Sequence, residues 1–319
     1  MLTRREAMIG GMSAVAVVNM NTCFAKAPQP STPVSFEIPA DACDCHTHIV
    51  GDQQHFPFTP KRVYTPETAL PEEMSELHRK LGIRRVVIVT PSFYGADNSA
   101  TLYGMRARGV DARGVAVIDE KTTDRELDAL GQAGMRGIRL NLATGGANDP
   151  SIARQQVQAA VDRVKVRNWH VQMYTSLAVI SGIKDVVANS SIPFVFDHFG
   201  GAQAALGVDQ PGLSDLVELV HLGKAYVKIS GAYRISKRGP DYPDVAPFAK
   251  VLISANADRI IWGTDWPHTN SIPGAKPTDI IPFSPIDDGI LLNQLATWAP
   301  DASMRRKIFV DNPARLYSF

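Results

Sequence analysis

The 319-residue chain carries 33 Lys and Arg against 32 Asp and Glu, a balance with no electrostatic footprint for nucleic acid or an anionic membrane surface. Its apolar fraction of 45% is that of an ordinary globular protein, with length for one large domain or two ordinary ones. Three cysteines, Cys23, Cys43 and Cys45, make no disulfide framework, and Cys43 and Cys45 are expected to pack as small apolar residues without pairing.

The chain opens with Thr3-Arg4-Arg5-Glu6-Ala7-Met8-Ile9, paired arginines ahead of an uncharged run from Met8 to Met20. That run is shorter than the ~20 apolar residues of a membrane span. It looks like a twin-arginine-type signal, cleaved after Ala25 and before Lys26, which implies a periplasmic mature protein. The competing reading is a disordered basic tail on a cytoplasmic protein. Residues 1–25 are thus expected to be a signal peptide, 26–37 a Pro/Ser/Thr-rich linker, and 38–319 one folded unit.

Ile38 to Ala42 reads as the start of a first strand leading into Asp44-Cys45-His46-Thr47-His48. Alternation along that strand predicts one shared face for Asp44, His46 and His48. Val50 to Pro66 is a long loop without periodicity, and Glu67 to Leu81 a helix with Leu70, Met74, Leu77 and Leu81 on one face. Strands follow at Arg85–Thr90, Arg113–Ile118, Gly137–Leu142, Trp169–Tyr174, Phe194–His198, Ala225–Ser230 and Arg259–Thr264. Between them come helices at Asn98–Arg108, Thr123–Ala133, Ser151–Val166, Leu177–Ala188, Gly212–Leu222 and Val245–Ala255. Helices Asp287–Trp298 and Ala302–Val310, and a short one after Asn312-Pro313, close the chain.

Eight apolar strands alternating with helices imply parallel strands joined by right-handed crossovers, and hence a (β/α)8 TIM barrel. An open doubly wound sheet is the alternative, but no Gly-x-Gly-x-x-Gly follows the first strand. In a barrel the loops after the strands build the active site at one rim. His46 and His48 end strand one, His198 ends strand six and Asp265 follows strand eight, so all four are expected at that rim.

Asp44-Cys-His-Thr-His48, Gly137-Ile-Arg-Leu-Asn141, Val171-Gln-Met-Tyr174, Asp197-His-Phe-Gly200 and Trp262-Gly-Thr-Asp-Trp-Pro-His268 together resemble the amidohydrolase superfamily, and within it the 2-pyrone-4,6-dicarboxylate lactonase-like group. The resemblance runs from Asp44 to Phe319. Two-metal members of the superfamily use a lysine or glutamate on strand four and a histidine on strand five. Here those strands offer Arg139 and Asn141, then Gln172 and Tyr174, while His170 lies ~6 to 7 Å below Gln172 at ~3.3 Å per residue. A binuclear centre is therefore not expected. A metal-free site is favoured, with a single Zn or Mn ion on His46, His48 and Asp265 as the alternative.

The resemblance implies hydrolysis of a carboxylated lactone or cyclic ester, with Asp265 as general base and His46, His48 and His198 polarising the carbonyl. Arg139, Arg234 and Tyr174 would hold substrate carboxylates, and Tyr64, Ser92 and Tyr233 would add hydrogen bonds. The structural alternative for Arg139 is an ion pair with an acidic neighbour. Arg62, Lys237 and Arg238 are expected to be solvated. His55, His78 and His221 read as surface residues, and His268 as a buttress of the Trp-Pro-His turn. A metal-dependent decarboxylase or lactone isomerase would use the same residues. A non-catalytic periplasmic binder of organic acids is disfavoured, because a binder of anions gains nothing from Asp265.

Overall fold

The computed structural model describes residues 27–144 and 149–319; the expected signal, residues 1–25, lies outside them. Eight parallel strands form one sheet in chain order: β1 Cys43–Thr47, β2 Arg85–Val89, β3 Ala112–Ala116, β4 Met135–Asn141, β5 His170–Tyr174, β6 Phe194–Phe196, β7 Ala225–Lys228 and β8 Ile260–Ile261. The sheet closes where Cys45 N donates to Trp262 O (2.9 Å), Asp265 N to His46 O (2.8 Å) and His48 N to Trp266 O (2.8 Å). A Cβ at Gly263 would lie 2.7 Å from His46 N, so only glycine lets the two strands approach there. This is the (β/α)8 barrel expected from the alternation.

Alternate strand residues face inward. Cys43, Cys45, Val87, Val89, Val115, Val195, Tyr226 and Ile261 pack with Tyr317 as one buried cluster, and both cysteines are free. The opposite faces, such as Val86 and Ile88, join the larger core under the helices. The helices carry local signals of their own. Pro71 opens Pro71–Leu81 and Gly82, at φ 71°, ends it. Thr123 caps Asp124–Gln132 reciprocally with Glu126.

Several boundaries differ from expectation. The first strand begins at Cys43 and not at Ile38, because Asp41 adopts φ 64° and turns the chain before it. The last strand is only two residues long, since Trp262 onward bonds to β1. The helix expected over Leu177–Ala188 breaks at Ile183 into two pieces. Within the loop read as unstructured, Thr65–Pro66 pairs in parallel with Ile280–Ile281.

Residues 27–37 have no regular secondary structure but lie against the barrel. Ser31 and Thr32 donate to the Asp287 carboxylate, Ser35 donates to Asn293, and the Trp266 indole N–H donates to Pro28 O at 2.8 Å.

Candidate active site

At the carboxyl ends of the strands lies a cavity of about 420 Å³, lined by His48, Tyr64, Ser92, Arg139, Asn141, Tyr174, His198, Arg234, Asp265 and Thr269 among others. That size suits a small ligand. At its base three imidazole nitrogens converge on one carboxylate oxygen. Asp265 Oδ1 is 3.6 Å from His46 Nε2, 3.8 Å from His48 Nε2 and 3.7 Å from His198 Nε2. Asp265 Oδ2 is committed elsewhere, accepting from Tyr233 Oη at 2.6 Å and from Arg234 Nε. Oδ1 is buried and has no hydrogen-bond partner among the described residues.

The backbone holds this group in an uncommon conformation. Asp265 (φ 68°) and His198 (φ 49°) are both left-handed, which costs free energy in a non-glycine residue and marks positions fixed by their surroundings. Gly231 precedes the helical turn Ala232–Ile235 that carries Tyr233 and Arg234. A Cβ there would come within 2.9 Å of His198 Nδ1, so a side chain would push the turn away from the site.

The electrostatics follow from burial and charge. Burial pushes the His48 imidazole down to about 3, with Arg139 adding to the effect, and burial likewise pushes His198 down to about 4. Burial and Lys228 hold His46 well below the ordinary histidine range. Burial alone would raise the Asp265 carboxyl, but the Arg234 guanidinium, the largest opposing cause, outweighs it and holds it well below the usual range. Around neutral pH the site therefore contains an ionised carboxylate facing neutral imidazoles.

Each residue singled out in the sequence can now be placed. His46, His48, His198, Asp265, Tyr233 and Arg234 meet at the base, and Tyr64, Ser92, Arg139 and Tyr174 line the wall. Arg139 also makes the ion pair raised as its structural alternative, Nε to Asp197 Oδ2 at 3.2 Å. Tyr64 Oη donates to Thr269 Oγ1 at 3.2 Å. His268 buttresses its turn, with Nε2 3.0 Å from Asp288 Oδ2 and Nδ1 3.3 Å from Tyr233 Oη. His55 and His221 are exposed.

Two readings are corrected. His78 is not on the surface: it is fully buried, with Nε2 3.2 Å from Asp44 Oδ2. Asp44 in turn does not share a face with His46 and His48. Between Asp44 and Thr47 the pairing of β1 with β2 slips, Asp44 opposing Val86 and Thr47 opposing Ile88. That extra residue breaks the alternation and sends Asp44 outward to His78 and Thr264, while His46 turns inward.

Sequence reasoning missed the layer below. Asp197, Gln172 and Lys228 are completely buried there and bond to one another and to His46. One signal existed: a lysine ending an otherwise apolar strand at an inward position needs a partner.

The donor set allows a metal ion. His46, His48 and Asp265 form one group that could hold one, and His46, Asp197 and His198 another. His46 Nε2 and Asp265 Oδ1 are buried and unpartnered, as ligands awaiting a cation would be. His48 Nδ1 lies 2.7 Å from Val89 O, which can only accept, so its Nε2 presents a lone pair to the cavity. The first group therefore fits a divalent ion.

Residues 43–319 match the amidohydrolase family. The chain is 37% identical over 291 residues to a 4-sulfomuconolactone hydrolase of Rhizobium radiobacter, covering 90% of this chain and 93% of that one. It is 33% identical over 297 residues to a 2-pyrone-4,6-dicarboxylate hydrolase of Comamonas testosteroni, again over 90% and 93%. An Acinetobacter baumannii crystal structure with citric acid bound superimposes with a TM-score of 0.72 at 25% identity, covering 88% of this chain and 100% of that one.

Proposed function

The chain belongs to the amidohydrolase family and is an enzyme of that superfamily, and from that premise we propose that it opens a carboxylate-bearing lactone by adding water. The observation that carries this reading is the unpartnered Asp265 Oδ1, buried at the cavity base among three imidazoles. A water held at Oδ1 would be oriented toward a carbonyl carbon in the cavity. As the oxygen attacks, one proton passes to Asp265 and the carbonyl oxygen becomes an oxyanion facing the imidazoles. Collapse breaks the ring C–O bond, and Asp265 returns its proton to the leaving oxygen. The new carboxylic acid loses its other proton to solvent.

Arg234 holds Asp265 ionised but also makes it a weak base. A substrate carboxylate reaching Arg234 draws part of that positive charge away, so substrate binding itself strengthens the base. Arg139 supplies the second cationic contact: among the described residues only its Nε has a hydrogen-bond partner. The hydrolases named above are lactone hydrolases by name, and the related structure has citric acid bound, which supports a small anionic substrate.

We favour a metal-free route, in which an imidazole N–H polarises the carbonyl. The second reading, a single Zn or Mn ion, is supported by the unpartnered His46 Nε2 beside Asp265. His46, His48 and Asp265 would hold the ion, which would act as a Lewis acid toward the carbonyl. One experiment tests both: a panel of sugar lactones, muconolactones and pyrone carboxylates, assayed with and without chelator alongside metal content. Turnover of an anionic lactone unaffected by chelator is the expected result. Turnover of none of them overturns the hydrolase reading.

We also propose export through the paired arginines, with mature chain from Lys26 in the periplasm. Support comes from Arg4-Arg5 ahead of the uncharged Met8–Met20 run. Replacing both arginines by lysine is expected to trap precursor in the cytoplasm, and unchanged fractionation would end the proposal.

A further inference from the structure

The layer beneath the cavity contains a charge that the reaction above does not use. Lys228 Nζ is completely buried, 2.7 Å from Gln172 Oε1, 3.1 Å from His46 Nδ1 and 3.4 Å from Asp197 Oδ1. The other Asp197 oxygen accepts from Arg139 Nε at 3.2 Å and Gln172 Nε2 at 3.1 Å. An ammonium cannot accept and a carboxylate cannot donate, so the Gln172 amide has one orientation, oxygen to Lys228 and nitrogen to Asp197. Lys228 and Asp197 are thereby held together against one nitrogen of His46.

His46 Nδ1 faces both of them, Asp197 Oδ1 being 3.2 Å away. Asp197 Oδ1 can only accept and Lys228 Nζ, as an ammonium, can only donate, so the two compete to set the ring; the Lys228 contact at 3.1 Å is the shorter and is made only when Nδ1 is bare. With Lys228 as its partner Nδ1 is an acceptor, and the single hydrogen of the neutral ring sits on Nε2, on the side of Asp265 Oδ1 3.6 Å away at the cavity base. His48 is wired the opposite way. Its Nδ1 must donate to Val89 O, which leaves Nε2 bare.

We propose that Lys228 is a positioning residue that fixes His46 as the Nε2–H tautomer, so that two neighbouring histidines present opposite faces to the substrate. His46 offers a hydrogen to the developing oxyanion, and His48 offers a lone pair to the attacking water. The role in turnover rests on the metal-free lactonase reading, since a His46 ring with its hydrogen on Nε2 has no lone pair there for an ion; the tautomer pair itself is read without substrate.

The test is ¹⁵N spectroscopy of the histidine-labelled protein, with His46 and His48 assigned from His46→Gln and His48→Gln variants. The expected result is protonation of His46 at Nε2 and of His48 at Nδ1. In Lys228→Met, Asp197 becomes the only partner of His46 Nδ1, and the hydrogen is expected to move there. Asp197→Asn keeps Lys228 and is expected to keep the Nε2–H form. The same Lys228→Met variant should lose about 10²-fold in kcat with KM little changed. A wild-type His46 protonated at Nδ1 overturns the proposal, and that spectrum decides even if Lys228→Met does not fold. A flipped tautomer with unaltered kcat also overturns the positioning role. Absence of lactone turnover in the wild type removes the proposed function alone, because the tautomer pair is read without substrate.

Discussion

Tyr233 donates its hydroxyl hydrogen to Asp265 Oδ2 at 2.6 Å, and this splits the carboxylate into two oxygens with different duties. Oδ2 is anchored by Tyr233 and Arg234, while Oδ1 is left for the cavity. Asp265→Asn keeps the size but removes the proton acceptor, and kcat is expected to fall by about 10² to 10⁴. It also leaves Arg234 facing a neutral group, so some loss of melting temperature accompanies it. If a metal ligand is lost instead, bound metal falls in the same variant. Near-normal kcat in folded protein would end the assignment of Asp265 as base.

The two arginines are expected to fail differently. Among the described residues the terminal nitrogens of Arg139 have no hydrogen-bond partner, so Arg139→Met should raise KM for a dicarboxylate more than for a neutral lactone, by on the order of 2 kcal/mol. Arg234 also holds the base, so Arg234→Met should lower kcat as well as raise KM. Steady-state kinetics on one charged and one neutral lactone separate these outcomes. Equal effects of Arg139→Met on both substrates would assign Arg139 to the Asp197 ion pair alone.

Asp44 ties the barrel shut, accepting from Thr264 Oγ1 at 2.6 Å, from Thr264 N at 3.0 Å and from His46 N at 3.1 Å, with His78 as its outer partner. His78→Ala removes one partner of this buried carboxylate and leaves the other three, and is expected to cost about 1 to 3 kcal/mol. Thermal melting should fall accordingly, with kcat per folded molecule close to wild type, since His78 lies outside the cavity. A large loss of kcat without a loss of stability would contradict this.

Acid should destabilise the fold through the buried imidazoles. His48 and His198 have native values near 3 and 4, well below the 6.5 of an exposed histidine. Between about pH 6.5 and 4 the unfolded chain therefore binds protons that the native state does not, and stability falls as pH falls across that window. The expected loss is on the order of a few kcal/mol, and above about pH 7 these groups contribute no slope. Urea midpoints from pH 4 to 8 measure it. In His198→Gln the slope should flatten.

The barrel was legible in the sequence because its signals are local. Apolar runs, helix periodicity and punctuation by Gly82 and Pro71 act over a few residues, and they order eight strands without knowledge of the closure. The main cavity residues were legible for the same reason: each ends a strand or follows it, and the strand ends of a barrel share one rim. What could not be read was set by contacts between distant segments. His46 and Lys228 are 182 positions apart, and Asp44 and Thr264 are 220 apart. The slip in β1 is a property of its pairing with β2, so no alternation count along β1 reveals that Asp44 turns outward and brings His78 into the core. The sequence alone determined the barrel and the histidines and carboxylate at its rim. Only the tertiary structure decided which atom of each is free to react, because a side chain's hydrogen-bonding state depends on partners that folding alone brings within 3 Å or so.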